Sequence, residues 1–145
     1  MGRRPALLIS IVAIGVATGL IGLLPNYNSI GIWAPIALTV LRLVQGIAVG
    51  GEWGGATTMA IEHAPAEKRG RYAAFVQIGS PAGTLLSSGV FSLVLMLPDD
   101  AVSSWGWRIP FLIAFPFLAI ALYIRTKVEE SPVYQALEKE AEEDE

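Results

Sequence analysis

The stretch WAPIALTVLRLVQGIAVGGEWGGATTMAI, residues 33–61, decides the fold class. It exceeds the roughly 20 apolar residues that cross a bilayer, yet it holds two charges, Arg42 and Glu52. On a helix advancing about 100° per residue, Arg42, Gln45, Val49 and Glu52 fall within about 80° of one another. The segment therefore has one polar face, and in a membrane such a face points into protein or a water-filled cavity. Arg42 and Glu52 lie about 15 Å apart along the axis, too far to pair, so each needs a partner on another helix. Glycine adds a second pattern. Gly46, Gly50 and Gly54 recur every four residues, the spacing that lets helix backbones approach closely in lipid.

Outward from this stretch the chain stays poor in charge. Of its 145 residues 53% are apolar and 16% charged, against about 25% charged in an ordinary soluble domain. Residues 5–41 and 72–98 hold no charge at all. So small a soluble core cannot hide that much apolar chain. Breaks at charges, prolines and polar clusters leave four apolar segments, at about 5–24, 33–61, 72–97 and 109–124. The expectation is an all-α integral membrane protein with four transmembrane helices. Pro25-Asn26-Tyr27-Asn28-Ser29 closes the first segment and Pro98-Asp99-Asp100 the third, while Trp105 and Trp107 supply an interfacial belt before the fourth. In the third, Gly79 and Gly83 repeat the small-residue spacing around Pro81, which removes a helix hydrogen bond and is expected to bend the span.

Charge sets the orientation. With four crossings the N-terminus, the middle loop and the tail share one side, which carries Arg3, Arg4, Lys68, Arg69, Arg71, Arg125 and Lys127. The opposite loops carry only Arg108. The positive-inside rule then puts both termini in the cytoplasm. Eight of the 13 acids fall in residues 129–145, read as an acidic cytoplasmic tail with a short surface helix near Val133–Glu140 and disordered last residues.

Several chemistries are excluded. There is no cysteine, so disulfides and thiolate ligands are out. The single His63 argues against a histidine metal site or a catalytic triad and reads as a residue of the membrane edge. Gly46 to Gly55 lacks the Lys-Ser/Thr of a phosphate-binding loop, and Asp99-Asp100 reads as a span terminator. No enzyme activity, cofactor, metal or nucleic-acid partner is expected. The expected partners are the lipid bilayer and a small molecule in the polar path.

The residues resemble the metabolite–proton symporters of the major facilitator superfamily. Arg42-Leu43-Val44-Gln45-Gly46, continuing to Gly50-Gly51-Glu52-Trp53-Gly54-Gly55-Ala56, is similar to that family's fourth-helix motif. Trp105-Gly106-Trp107-Arg108-Ile109-Pro110-Phe111 resembles the start of its sixth helix, and Arg125 with Glu129-Glu130-Ser131-Pro132-Val133-Tyr134 the stretch leaving it. Gly2-Arg3-Arg4 is similar to the last part of the cytoplasmic motif between helices two and three, and Glu62 and Arg69 have the E-x6-R spacing of related sugar porters.

The resemblance implies helices three to six of a twelve-helix transporter. Residues 1–128 would be a partial transporter domain and residues 129–145 the start of a central loop, the remaining helices being partners. It also implies proton-driven symport of a small polar metabolite, an organic acid or a zwitterion, by alternating access in a bacterial inner membrane. Gly79-Ser80-Pro81-Ala82-Gly83 only partly echoes the helix-five motif of antiporters. The expected substrate and proton path is Arg42, Gln45, Glu52 and Gln77. Arg42 would hold a carboxylate, and Glu52 would carry the proton, which a guanidinium cannot release. Arg3, Arg4, Glu62, Arg69 and Arg71 form the expected cytoplasmic gating network. Gly46, Gly50, Gly54, Gly79, Pro81 and Gly83 serve helix packing and bending. The other reading is a stand-alone four-span protein with a structural or partner-binding role.

Overall fold

The computed structural model describes residues 3–127, 129 and 132–143, and these are mostly helical with no strand among them. Helix α1 spans Arg3–Leu23, α2 Tyr27–Ile30, α3 Trp33–His63, α4 Arg69–Val94, α5 Asp99–Ser104, α6 Ile109–Leu112, α7 Ala114–Lys127 and α8 Pro132–Glu143. Short 3-10 turns at Ala66–Lys68 and Gly106–Arg108 lead into α4 and α6. Gly2, Glu130, Ser131 and the last two residues, on which some expectations rest, lie outside the described residues; of Arg3 the backbone alone is described.

Proline and glycine punctuate the long helices. Pro25 follows α1, and the backbone before Pro65 is extended (Ala64 φ −87, ψ 140), which stops α3. Gly31, at φ 61, makes the left-handed turn from α2 into α3, a conformation that costs glycine nothing. Helix α4 runs through Pro81 without interruption. Between α6 and α7 the break falls at Ile113, because Pro116 has no N–H to give the Leu112 carbonyl. The last apolar segment thus forms a near-continuous helical rod from Gly106 to Lys127, longer than the apolar run 109–124 suggests. A terminal charge such as Arg125 ends an apolar run without ending a helix.

Among the described residues, three stretches are long and apolar enough to cross a membrane: Arg4–Leu23, Trp33–His63 and Gly106–Lys127. The expected fourth, α4, has the length at 26 residues, but Gln77, Ser80, Thr84, Ser87, Ser88 and Ser92 make it more polar. Thr84 donates to the Ser80 carbonyl at 3.1 Å and Ser92 to the Ser88 carbonyl at 2.8 Å, each within the helix. The protein is a multi-pass membrane protein, and large apolar side chains such as Ile47, Leu85 and Met96 stand exposed, as lipid or neighbouring helices require.

Helix α1 is the centre of the bundle, packed against α3, α6 and α7, while α4 lies against α3 and α6. Its glycines admit the neighbours. A methyl group placed on Gly15 would lie 2.7 Å from Leu118, one on Gly22 3.0 Å from Phe111, and one on Gly19 would clash with the far edge of the Phe115 ring. On α3, Gly55 faces Leu7 and Gly51 faces Ser10, which fixes the antiparallel register of α1 and α3. Among the described residues, a methyl group on Gly46, Gly50, Gly54, Gly79 or Gly83 would meet nothing from another helix within 4 Å. The close approaches between the long helices thus belong, among the described residues, to the glycines of α1 and to Gly51 and Gly55, while Gly106 in the turn before α6 lies 3.1 Å from the Ala101 carbonyl by the same measure. At the loop end Arg108 donates to the carbonyls of Gly22 (3.0 Å) and Leu24 (2.7 Å). It thereby caps orphan acceptors where α1 ends.

Candidate functional site

The polar face of α3 meets its partners in two separate places. In the first, Arg42 donates to Gln45 Oε1 at 3.2 Å, Gln45 Nε2 donates to Thr18 Oγ1 at 2.5 Å, and Thr18 donates to the Ile14 carbonyl at 2.7 Å. A relay of donors therefore runs from α3 into α1 and fixes the amide of Gln45. These three side chains line a cavity of about 420 Å³ between α1, α3, α4 and the α6–α7 rod. The opposite walls include Ser87 and Phe91 of α4 and Phe111 and Phe117 of the rod. The Arg42 guanidinium lies 5.8 Å from the Phe111 ring centroid, and Phe91 meets Phe111 edge-on at 6.1 Å.

The cavity thus presents one guanidinium, one amide and hydroxyls against aromatic walls, and among the described residues no acid lines it. A guanidinium has five N–H donors in a planar fork, and Gln45 takes one of them. Such a wall suits an anionic oxygen pair carried on a small body. A carboxylate gains two parallel charge-assisted bonds from the fork, while the rings take its carbon face.

In the second place, Glu52 makes an ion pair with Arg125 of α7. The Ser10–Gly51 and Leu7–Gly55 approaches set Glu52 level with Ser10, about 8 Å along the axis inside Pro5, where the apolar part of α1 begins. Arg4 donates to the Thr126 carbonyl at 2.7 Å, so α1 and α7 are tied at the same end. The second carboxylate oxygen of Glu52 is buried and accepts no hydrogen bond among the described residues. Gln77 is in neither place: it accepts from Trp53 Nε1 at 3.3 Å and ties α4 to α3.

The four residues of the expected path are therefore split. Arg42 and Gln45 share the cavity; Glu52 and Gln77 are held apart from it. Of the expected gating residues, Arg4 bonds to α7, and Glu62 is half-buried at the end of α3. Arg69 and Arg71 are exposed, and no described ion pair joins them to an acid. His63 is exposed too, its Nδ1 2.9 Å from the Met59 carbonyl one turn back.

The sequence reading missed Arg125 as the partner of Glu52, and missed Thr18 and Phe111 in the cavity. A signal existed for Thr18, the hydroxyl that shares one face of α1 with Gly15, Gly19 and Gly22. For Arg125 the signal was topological, since the end of the fourth segment lies on the side toward which Glu52 is offset.

The sequence profile of the family described as "Sugar (and other) transporter" matches residues 1–145. The chain is 46% identical over 136 residues to the shikimate transporter of Escherichia coli, covering 93% of this chain and 31% of that protein. It is 44% identical over 140 residues to an inner membrane metabolite transport protein of Escherichia coli, covering 96% of this chain and 32% of the relative. With the proline/betaine transporter of the same organism it shares 44% identity over 135 residues, 92% of this chain and 27% of the relative. The chain thus spans about a third of the length of these curated relatives. No solved structure matches it.

Proposed function

Since the chain belongs to the sugar (and other) transporter family, a family of transport proteins within the major facilitator superfamily, we propose that it supplies part of a transporter for a small carboxylate-bearing metabolite. The single observation that carries this is the cavity between α1, α3, α4 and the α6–α7 rod, where Arg42 is the one charged side chain among the described residues that line it. Arg42 holds the carboxylate through its planar fork, Gln45 supplies a neutral hydrogen bond whose direction Thr18 fixes, and Phe111 with Phe91 packs the carbon face.

Transport in this reading is proton-coupled symport by alternating access in a bacterial inner membrane, with both termini cytoplasmic. The bias of bases toward one side supports the orientation. Glu52 is the one acid within the four apolar segments. Proton exchange there makes and breaks the ion pair with Arg125, and so ties or frees the ends of α3 and α7. The chemistry of the two charges differs as the two steps require: a guanidinium keeps its proton, whereas a carboxyl can exchange one.

The test is uptake of labelled organic acids into proteoliposomes that contain a transporter carrying residues 1–145. An inward proton gradient is expected to drive accumulation, and a protonophore to abolish it. Arg42→Gln should lower uptake at least tenfold, and Arg42→Lys should weaken it less, because it keeps the charge without the fork. Accumulation that ignores the gradient would remove proton coupling. Full uptake by Arg42→Gln would remove the assigned carboxylate site.

A further inference from the structure

At the end of the bundle where α4 begins, Lys68, Arg71, Tyr72 and Phe75 line a cavity of about 470 Å³ that is separate from the Arg42 cavity. Arg71, Tyr72 and Phe75, spaced by one and three residues, share one face of α4, and Lys68 ends the 3-10 turn that leads into that helix. The two cations come first along the chain, and the Phe75 ring follows about 6 Å further along the axis from Arg71. Tyr72 and Phe75 are exposed, Phe75 by 63%. Arg69 adds a third cation beside them, and no described ion pair joins Lys68, Arg69 or Arg71 to an acid.

We infer that this cavity binds the headgroup of an anionic phospholipid. The layering fits that ligand. Lys68 and Arg71 sit where a phosphate would lie, and the exposed rings of Tyr72 and Phe75 sit deeper, at the level of the glycerol and first acyl carbons, where aromatic side chains anchor to a bilayer. Basic pockets at the inner ends of membrane helices take anionic headgroups by the same charge complementarity. A water-soluble phosphate would use the two cations and leave the rings without purpose, so the occupant is the lipid. The inference stands apart from the transport reading, and needs only that α4 lie in the bilayer beside α3.

The experiment is native mass spectrometry of the whole chain in detergent, titrated separately with phosphatidylglycerol, phosphatidylcholine and inorganic phosphate. Phosphatidylglycerol is expected to be retained at least threefold more than phosphatidylcholine, with no adduct from phosphate alone. Arg71→Gln should erase the preference. Lys127→Gln, which removes an equal charge at the same end outside the cavity, should leave it intact. Phe75→Ala should lower retention of phosphatidylglycerol, and circular dichroism of each variant checks that the helices persist. Equal retention of the two lipids, equal losses in Arg71→Gln and Lys127→Gln, or binding of phosphate as tight as that of the lipid would each overturn the proposal.

Discussion

Arg125 reaches Glu52 across the end of α1, and the fate of either charge depends on the other. Removing one partner of a partly buried pair strands the survivor, whereas removing both leaves only a packing defect. Glu52→Gln and Arg125→Gln should each lower the unfolding midpoint of the chain in a denaturing-detergent titration. The double variant should be less damaged than the sum, with a coupling of about 1–3 kcal/mol. Strict additivity would mean that the pair contributes nothing. In the transport assay Glu52→Gln mimics the protonated form. It should still exchange substrate across the membrane while failing to concentrate it, and accumulation at the wild-type ratio would take Glu52 out of the proton step. The sequence shows that both span charges need partners elsewhere, and Glu52 has one. It does not show which, because Arg125 follows the last apolar run and reads equally well as an anchor for the membrane surface.

Glycines at the same spacing do different work on different helices. On α1, Gly19 lies against the Phe115 ring, whereas no described residue of another helix approaches Gly46 on α3. Replacing glycine by alanine in a helix interior gains about 0.5–1 kcal/mol where there is room, and overpacking costs about 1–3 kcal/mol where there is not. Gly19→Ala should therefore lower the unfolding midpoint and Gly46→Ala should not. A matched response would mean that the α1–α7 approach is looser than it stands here. Four-residue spacing is legible in one sequence, but which face meets a neighbour is decided by helices distant along the chain. Helix boundaries were more legible, since prolines and charge clusters mark them locally: the third segment, read as 72–97, is helical over Arg69–Val94. The break before α7 was not foreseen, because Pro116 lies inside an unbroken apolar run where composition gives no warning. The same reasoning explains the site. Arg42 and Gln45 share a face of one helix and were readable, while the Phe111 wall comes from an element 69 positions away.

Over the whole molecule, sidedness turns on whether α4 crosses. With α4 across the bilayer there are four crossings, and the loops holding Ser29 and Ser103 share a side opposite the termini. Single cysteines at Ser29 and Ser103, both exposed, should then react with an impermeant thiol reagent added outside whole cells, and a cysteine at Lys68 should not. Labelling at Lys68 alone would invert the arrangement. Additive hydropathy counts α4 as doubtful because each hydroxyl is charged as though it still needed water. Thr84 and Ser92, however, already give their protons to carbonyls one turn back, and a donor satisfied inside its own helix has less to lose in lipid. The insertion machinery meets that folded helix and not its composition. In a glycosylation-mapping assay of translocon insertion, the α4 segment should partition into the bilayer more readily than a sum of residue values allows. Ser92→Ala should change that yield little, whereas Ser92→Asn, whose amide has two donors to place, should reduce it sharply.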